Sequence, residues 1–541
     1  MERIMRKYLF IYTLALIFLH PFWGIAQNLE CETNLLVRST ENIYSAVDME
    51  DNYVVAFQTK SQYECIFYNA LHKQIGNAVF TIPSTSKKDT YLGIELNTDT
   101  CSIYTLNPRS NQITQLNIAR SGGELTKKII GQIAITEKFL KCVTLKGVYH
   151  ILTATQGKNQ LDVYTIKDHA LVKNTYLIEM PDFYKRLSSG NQLLNEDRTT
   201  VIAIDAINYD IENNVKSARA TKKIYCFDNN IFLIFDDANF TYLIKINLDT
   251  QEASYKQFSY SLDFGNASFK KQGNSFLYQK TLFRVTMSME QMSLIAMDVE
   301  SNQSYATYYA TPHIPMDFKN GPLIQENSSD KIRIIEDNTT FFKKVLAGNL
   351  SIAVNLKDSS YIVEIGSFEE MVTNNNYANQ SGGRPNISFG MGMGGGNMGM
   401  GGMGGMGMGM GMGGMGMGMG GMSMGGMGMG GMGMGGYGAS PYNYGWNSPG
   451  YYNGYNGYYP YNSTATTIRT VYVHCMLDSS TYKHQAGIVP ITLRERVSNF
   501  ETETFKTTRP ELIRVIDFKN RIIIGYIIPN TKEFKQYSFY K

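Results

Sequence analysis

One pattern recurs along this chain and sets what it can fold into. An alternating apolar strand leads into a short polar turn, and a second strand rich in aromatic or β-branched residues returns. In 241–260, TYLIKINLDTQEASYKQFSY, the residues Tyr242, Ile244, Ile246 and Leu248 share one face. Asp249 to Glu252 turn the chain, and Tyr255 and Phe258 come back. Successive side chains on a strand point to opposite faces, so this spacing marks half-buried strands; stretches with helical spacing are scarce. Six more copies read as hairpins, at 65–82, 101–118, 160–180, 293–310, 471–485 and 523–540.

Neighbouring copies often start about 40–60 residues apart, the size of one four-stranded propeller blade. Over residues 30–541, less one insert, the chain resembles a divergent exported bacterial β-propeller. The resemblance implies an all-β fold, a single ring of seven four-stranded blades. It is one of architecture. Kelch glycine pairs, WD dipeptides, YWTD and sialidase Asp-boxes are missing, and the repeats contain no Trp. Residues 35–38 are placed to close the ring on the last hairpin. A polar stretch, 187–221, separates the third and fourth copies. The acidic pairs Glu196-Asp197 and Asp236-Asp237 read as ordinary loop and blade-edge groups.

The insert interrupts a late blade, between a hairpin at 349–366 and the alternating run Thr467 to Cys475. The expected organisation is a leader at 1–26, propeller at 27–372, a disordered insert at 373–466 and propeller at 467–541. A loop tolerates such growth because closure entropy rises only logarithmically with length. Residues 390–436 hold 27 Gly and 18 Met, broken only by Asn397 and Ser423. Glycine has no side chain to bury and costs the most backbone entropy to order, so this tract makes no packed core. Residues 437–463 are rich in Tyr, Gly, Asn and Pro, and no residue from Pro385 to Ile468 is charged. Such a segment suits contact with a partner, a surface or other copies of itself. Tyr451, Tyr455 and Tyr458 are the contact candidates, since Tyr rings bind with little loss of side-chain entropy. As a flexible coil, the Gly-Met tract reaches roughly 35–40 Å.

The methionines support a second reading. Thioether sulfur is soft and needs no deprotonation, so the pairs Met406, Met408, Met410 and Met427, Met429 are candidate ligands for Cu(I) or Ag(I). The tract has no His, Cys or carboxylate to help them. Its GxGxxG match at Gly399–Gly404 follows no strand and opens no helix, so it carries no phosphate-binding meaning. A second methionine group, Met287, Met289, Met292 and Met297, reads as core packing, with Met287 and Met289 on one face of a strand.

The N-terminus reads as a secretory leader. Arg3, Arg6 and Lys7 precede an apolar run, Tyr8 to Leu19, and Gly24-Ile25-Ala26 offers a cleavage site, placing the mature start at Gln27. Glu30 before Cys31 excludes a lipobox. The expected location is periplasmic, outer-membrane-associated or extracellular. Without residues 1–26 the chain has 47 Lys and Arg against 46 Asp and Glu. That near-neutral balance, with no basic block, excludes nucleic acid as a natural partner. No later apolar run is long enough for a membrane helix. Six cysteines permit disulfides, yet most lie in apolar runs and read as small buried hydrophobes. Of the histidines, none has HExxH spacing, and His474 and Cys475 point to opposite faces of one strand.

These observations lead to a non-enzymatic extracytoplasmic scaffold that needs no cofactor. It binds a protein or cell-surface partner, or itself, through the insert. The alternatives are a soft-metal binder and a hydrolase or lyase at the propeller channel. Convergent acidic and histidine groups in that channel would favour the last.

Overall fold

The period-two runs form strands, and among the described residues they pair into five sheets of four and two sheets of five, the seven blades of a β-propeller, beside one short two-stranded sheet, Gln192–Leu194 with Thr200–Ile202. A computed structural model describes residues 28–374 and 464–541, apart from 38, 83–88, 122–124, 168, 190–191, 195–199, 203, 261–269, 328–331, 506–509, 511–512 and 530. Blade 1 runs from Asn42–Val47 to Gln74–Thr81, blade 2 from Thr90–Leu96 to Thr126–Gln132, and blade 3 from Glu137–Leu145 to Ala170–Leu177. Blade 4 runs from Lys222–Phe227 to Glu252–Ser259, with Asp205–Ala206 added in parallel to its first strand. Blade 5 runs from Gln272–Tyr278 to Ser304–Ala310. The first strand of blade 1 lies against those of blades 2 and 7; those of blades 3 and 4 touch, as do those of blades 5 and 6.

Burial falls outward along each blade. In blade 1 the second strand, Tyr53–Gln58, is buried except at its end, whereas no residue of the outermost strand is. Inner strands are covered on both faces by neighbouring blades, so they read as continuous apolar runs, as in NIFLIFD at Asn230–Asp236. The apolar clusters sit where blades meet: blades 7 and 1, 1 and 2, 2 and 3, and 3 and 4 each share one. Tight turns keep the hairpins in register. In blade 4, Asp228 and Asn229 both take left-handed backbone, at φ 48° and 59°. That is the two-residue turn whose twist matches its strands.

Ring closure differs from the expectation. Asn28–Asn34, not residues 35–38, pairs with the last strand, Glu533–Tyr540, and completes blade 7 with Ile513–Asp517 and Arg521–Ile527. Val37 is buried beyond that strand, and the N–H groups of Leu36 and Val37 donate to Glu64 at 2.9 Å.

Blade 6 is also built differently. Its inner hairpin, Asn349–Lys357 and Ser360–Asn374, is followed across the sheet by Thr464–Asp478. Its two outer strands, Leu323–Asn327 and Ile332–Ile335, come from earlier in the chain. The expected hairpin at 471–485 forms only at its turn: the return arm bridges Leu477 to His484 and bonds Met476 and Asp478 but makes no strand. One edge of the 464–478 strand is taken by Ser360–Asn374; on the other, Leu323–Asn327 takes Arg469–Tyr472 and Asn320 bonds His474 and Met476, which leaves the return arm only the end by the turn.

Three helices complete the described residues: α1 Phe183–Ser188, α2 Asn338–Ala347 and α3 Leu493–Thr504. No helix among them is long and apolar enough to cross a membrane. The second methionine group packs as expected, with Met287, Met292 and Met297 buried; Met289 falls past its strand and packs against the same core. Asp236 departs from the loop reading. It is fully buried and pairs with Lys223 at 3.4 Å between blades 4 and 5. Glu196-Asp197 lies outside the described residues.

Candidate functional site on blade 6

The segment before blade 4 enters the ring. Asn208 Nδ2 donates to Asp517 at 3.0 Å in blade 7, and Asn213 N donates to Asn355 Oδ1 at 2.6 Å in blade 6. Tyr209 meets Tyr278 of blade 5 edge-on and Phe227 of blade 4 likewise. Ile211, Val215 and Ala218 are buried. Contact with the first strands of four blades places residues 207–219 inside the channel, as a plug on the blade 4 to 7 side.

Opposite the plug, a cavity of about 630 Å³ remains between blades 1, 2 and 3. Carboxylates gather at it, among them Asp48, Glu95, Asp210 and Asp517, but no histidine lines it. Several are tied within the chain: Asp48 to Arg120 at 2.6 Å, Asp517 to Lys541 at 2.6 Å, and Glu95 to Tyr104 Oη at 2.5 Å. Burial holds Asp517 above the usual carboxylate range despite Lys541 and Asn208 beside it.

On the other side of the plug, a cleft of about 610 Å³ lies between blade 6, α3 and residues 212–216. Its groups are held from three directions. From the sheet, His474 Nε2 meets Glu364 Oε2 at 3.0 Å, and Tyr472 Oη donates to Glu326 Oε1 at 2.6 Å. From α3, Arg494 pairs with Glu326 at 3.1 Å. From the plug, Glu212 accepts the N–H of Leu493 at 2.6 Å, and Val215 N donates to Glu364 at 2.8 Å.

A carboxylate at a helix N-terminus answers unpaired N–H groups and the helix dipole, so Glu212 fastens the plug to α3. Thr492 and Glu495 form a reciprocal capping box at the same end. Burial raises Glu364, but His474 and the Val215 N–H outweigh it and hold the carboxyl below its ordinary range. Burial lowers His474, and Glu364 overcomes that, holding the imidazole above its ordinary value. Each partner favours the charged form of the other, so the pair is suited to holding a structure or a ligand in place.

The same blade carries the insert. Strands Ser360–Asn374 and Thr464–Asp478 pair without interruption from Ser360 and Asp478 to Asn374 and Thr464. Pairing with the inner neighbour ends at Phe368 and with the outer neighbour at Arg469. The last five rows therefore pair only with each other. At about 3.3 Å per residue this ribbon runs roughly 15 Å past the sheet. Gly366 sits in the ladder where a Cβ would fall 1.9 Å from Val471 O, so only glycine permits that approach. An ion pair of Glu369 with Arg469 marks the ribbon's base, and α2 packs against both strands.

Met406, Met408, Met410, Met427, Met429, Tyr451, Tyr455 and Tyr458 all lie outside the described residues. His474 and Cys475 do face opposite sides, one to the cleft and one into the core. The remaining histidines that bond are spread over the ring, to Tyr53, Thr165, Gln115 and Asn320. The sequence reading missed Glu212, Glu326, Glu364 and Arg494. Thr492-x-x-Glu495 was the available signal for α3, and Glu364 is a lone charge within the apolar run Tyr361 to Ile365. Nothing local marks Glu212.

No family model matches the chain, and no curated protein is similar to it. Solved propellers are distantly similar. The WD40 domain of SCAP from fission yeast is 12% identical over 61% of this chain and 73% of that one, with a TM-score of 0.24. The Nup133 β-propeller domain of Vanderwaltozyma polyspora is 9% identical over 61% and 82%, at 0.25. Virginiamycin B lyase from Staphylococcus aureus is 11% identical over 62% and 95%, also at 0.25. These neighbours include an enzyme as well as WD40 and nucleoporin domains, so no activity carries over. It is the strand ladder of this chain, rather than those scores, that establishes the ring. The chain is a divergent β-propeller.

Proposed function

We propose that this protein is a non-enzymatic extracytoplasmic binding platform. In this reading the ring is the rigid base. Blade 6 presents the segment 375–463, uncharged from Pro385 onward, to a protein, a cell surface or another copy of the chain. The observation that carries the reading is the ribbon. It brings both ends of that segment off the ring at one point, beyond the sheet and braced by α2. A rigid fold that displays a recognition loop is a common division of labour. The leader-like residues 1–26 motivate the extracytoplasmic placement.

The test is capture of partners or surfaces by the full chain and by a chain with 375–463 replaced by a short Gly/Ser loop. Binding should disappear with the segment while the thermal transition of the ring persists. Changing the tyrosines of 437–461 to Ser should abolish association, and changing the tract's methionines to Leu should leave it nearly intact. If the Met→Leu chain fails instead, and the intact chain binds Cu(I) more tightly than micromolar, the soft-metal reading takes over.

A further inference from the structure

The boundary between blades 1 and 2 holds two thiols that the binding reading does not use. Cys65 lies in Gln62–Tyr68, the third strand of blade 1, and Cys101 in Thr100–Leu106, the second strand of blade 2. Both have no exposure and belong to one apolar cluster, with Phe67, Ile94 and Ile103 around them. There both thiols are free and face the same core between the blades, with Cys101 beside Cys65. The other four cysteines, Cys31, Cys142, Cys226 and Cys475, belong to blades 7, 3, 4 and 6.

We propose that Cys65 and Cys101 close into a disulfide that staples blade 1 to blade 2 when the chain folds in an oxidising compartment. This rests on the extracytoplasmic reading for its oxidant, which is a disulfide of an exchange protein or of a small molecule. The thiolate of one cysteine attacks a sulfur of that disulfide, whose S–S bond breaks and releases one thiolate. The second cysteine's thiolate attacks the first cysteine's sulfur in the mixed disulfide and expels the other thiolate. The pair gives up two protons and two electrons, and the oxidant ends as thiols. Only the thiolate attacks. In the folded ring, burial first, and then Cys101 beside it, keeps the Cys65 thiol protonated. Exchange therefore precedes the docking of the two blades. Once closed, the bond restricts the unfolded chain and so favours the ring.

The experiment produces the chain in the periplasm of a bacterial host behind a foreign leader, and separately in the cytoplasm. Each sample is denatured, alkylated without reductant and mapped by mass spectrometry. The periplasmic protein should yield Cys65 and Cys101 peptides joined and unalkylated, with the cytoplasmic pair alkylated. Its thermal midpoint should drop by roughly a few degrees on reduction. Cys101→Ala should abolish the cross-link and the sensitivity to reductant. If that variant does not fold, the oxidised and reduced wild type decide by the same two readouts. Full alkylation of both cysteines in the periplasmic protein, or a cross-link from either to another cysteine, overturns the pairing. A pair that closes in the host periplasm but is reduced in protein from its own cells upholds the pairing and overturns the extracytoplasmic placement.

Discussion

The contact between blades 4 and 5 and the cleft beside blade 6 use the same kinds of residue to opposite ends. Between blades 4 and 5, Lys223 and Asp236 are 0% exposed and 3.4 Å apart. The Lys223 amine also donates to Asn274 Oδ1 and Ser275 O at 2.8 Å, while Asp236 accepts from Ser275 and Thr241. At the cleft, the side chains of Arg494 and Glu326 are 37% and 22% exposed. In the first case strands pack directly on strands and exclude water. In the second, α3 and the plug stand against the blade and leave a cavity. A buried pair is strong only while every lone pair and proton is answered, and it then serves to fix geometry. A half-open pair can trade partners with solvent or a ligand.

The largest effect should come from breaking the closed pair. Lys223→Ala leaves the buried Asp236 carboxyl without its amine partner, and stability should fall by about 3–5 kcal/mol. The same change at Arg494 should cost about 0–1 kcal/mol, since its charge stays partly in water. Urea unfolding of both variants checks this, and equal losses would erase the contrast between the two regions.

The next effect depends on pH. His474 is held above its ordinary 6.5, so it adds stability below pH 6.5 that fades as pH rises through the raised value. Glu364 is held below its ordinary 4.5, so it adds stability above pH 4.5 that fades as pH falls through the lowered value. The pair acts in full between those two ordinary values. His474→Gln should therefore lower the thermal midpoint most in that window, and the gap should narrow toward alkaline pH. A gap that stays constant from acid to alkaline conditions would show that the imidazolium is not what holds the cleft wall.

The smallest effect concerns α3. Thr492→Ala removes a cap whose side chain accepts from Glu495 N at 3.1 Å, and about 1 kcal/mol should be lost. Hydrogen exchange should quicken at the start of α3 and in residues 212–215 together, because Glu212 joins them. Faster exchange in α3 alone would mean that the plug is held from elsewhere.

What could be read from the sequence was local. The hairpin at 241–260 was legible because each apolar residue reports its own burial every second position. The paired strands Phe240–Asn247 and Glu252–Ser259 match it closely. The hairpin at 471–485 misled because Asp478 turns the chain there, bonding Ser480 and Thr481, as a hairpin turn would. Nothing nearby says that Leu323–Asn327 and Asn320, far upstream, take most of the strand's outer edge and leave the return arm only its end. The closing strand NLECETN hid for the opposite reason. An outermost strand is half in water and needs no apolar run. Asp236 could not be recognised as buried, because its partner groups come from neighbouring strands and from the next blade. The cleft is a junction of three distant segments, and no spacing encodes such a meeting.

The first and last strands among the described residues share one sheet. Asn28–Asn34 finds its partner only in Glu533–Tyr540, about five hundred residues later. A chain without Glu533–Tyr540 lacks the Phe534 side chain that packs on Phe57, and it leaves Asn28–Asn34 and Arg521–Ile527 of blade 7 without the strand between them. Unpaired strand edges invite aggregation and cleavage. Loss of Glu533–Tyr540 should therefore make the ring more prone to aggregation and proteolysis than loss of an outermost strand elsewhere.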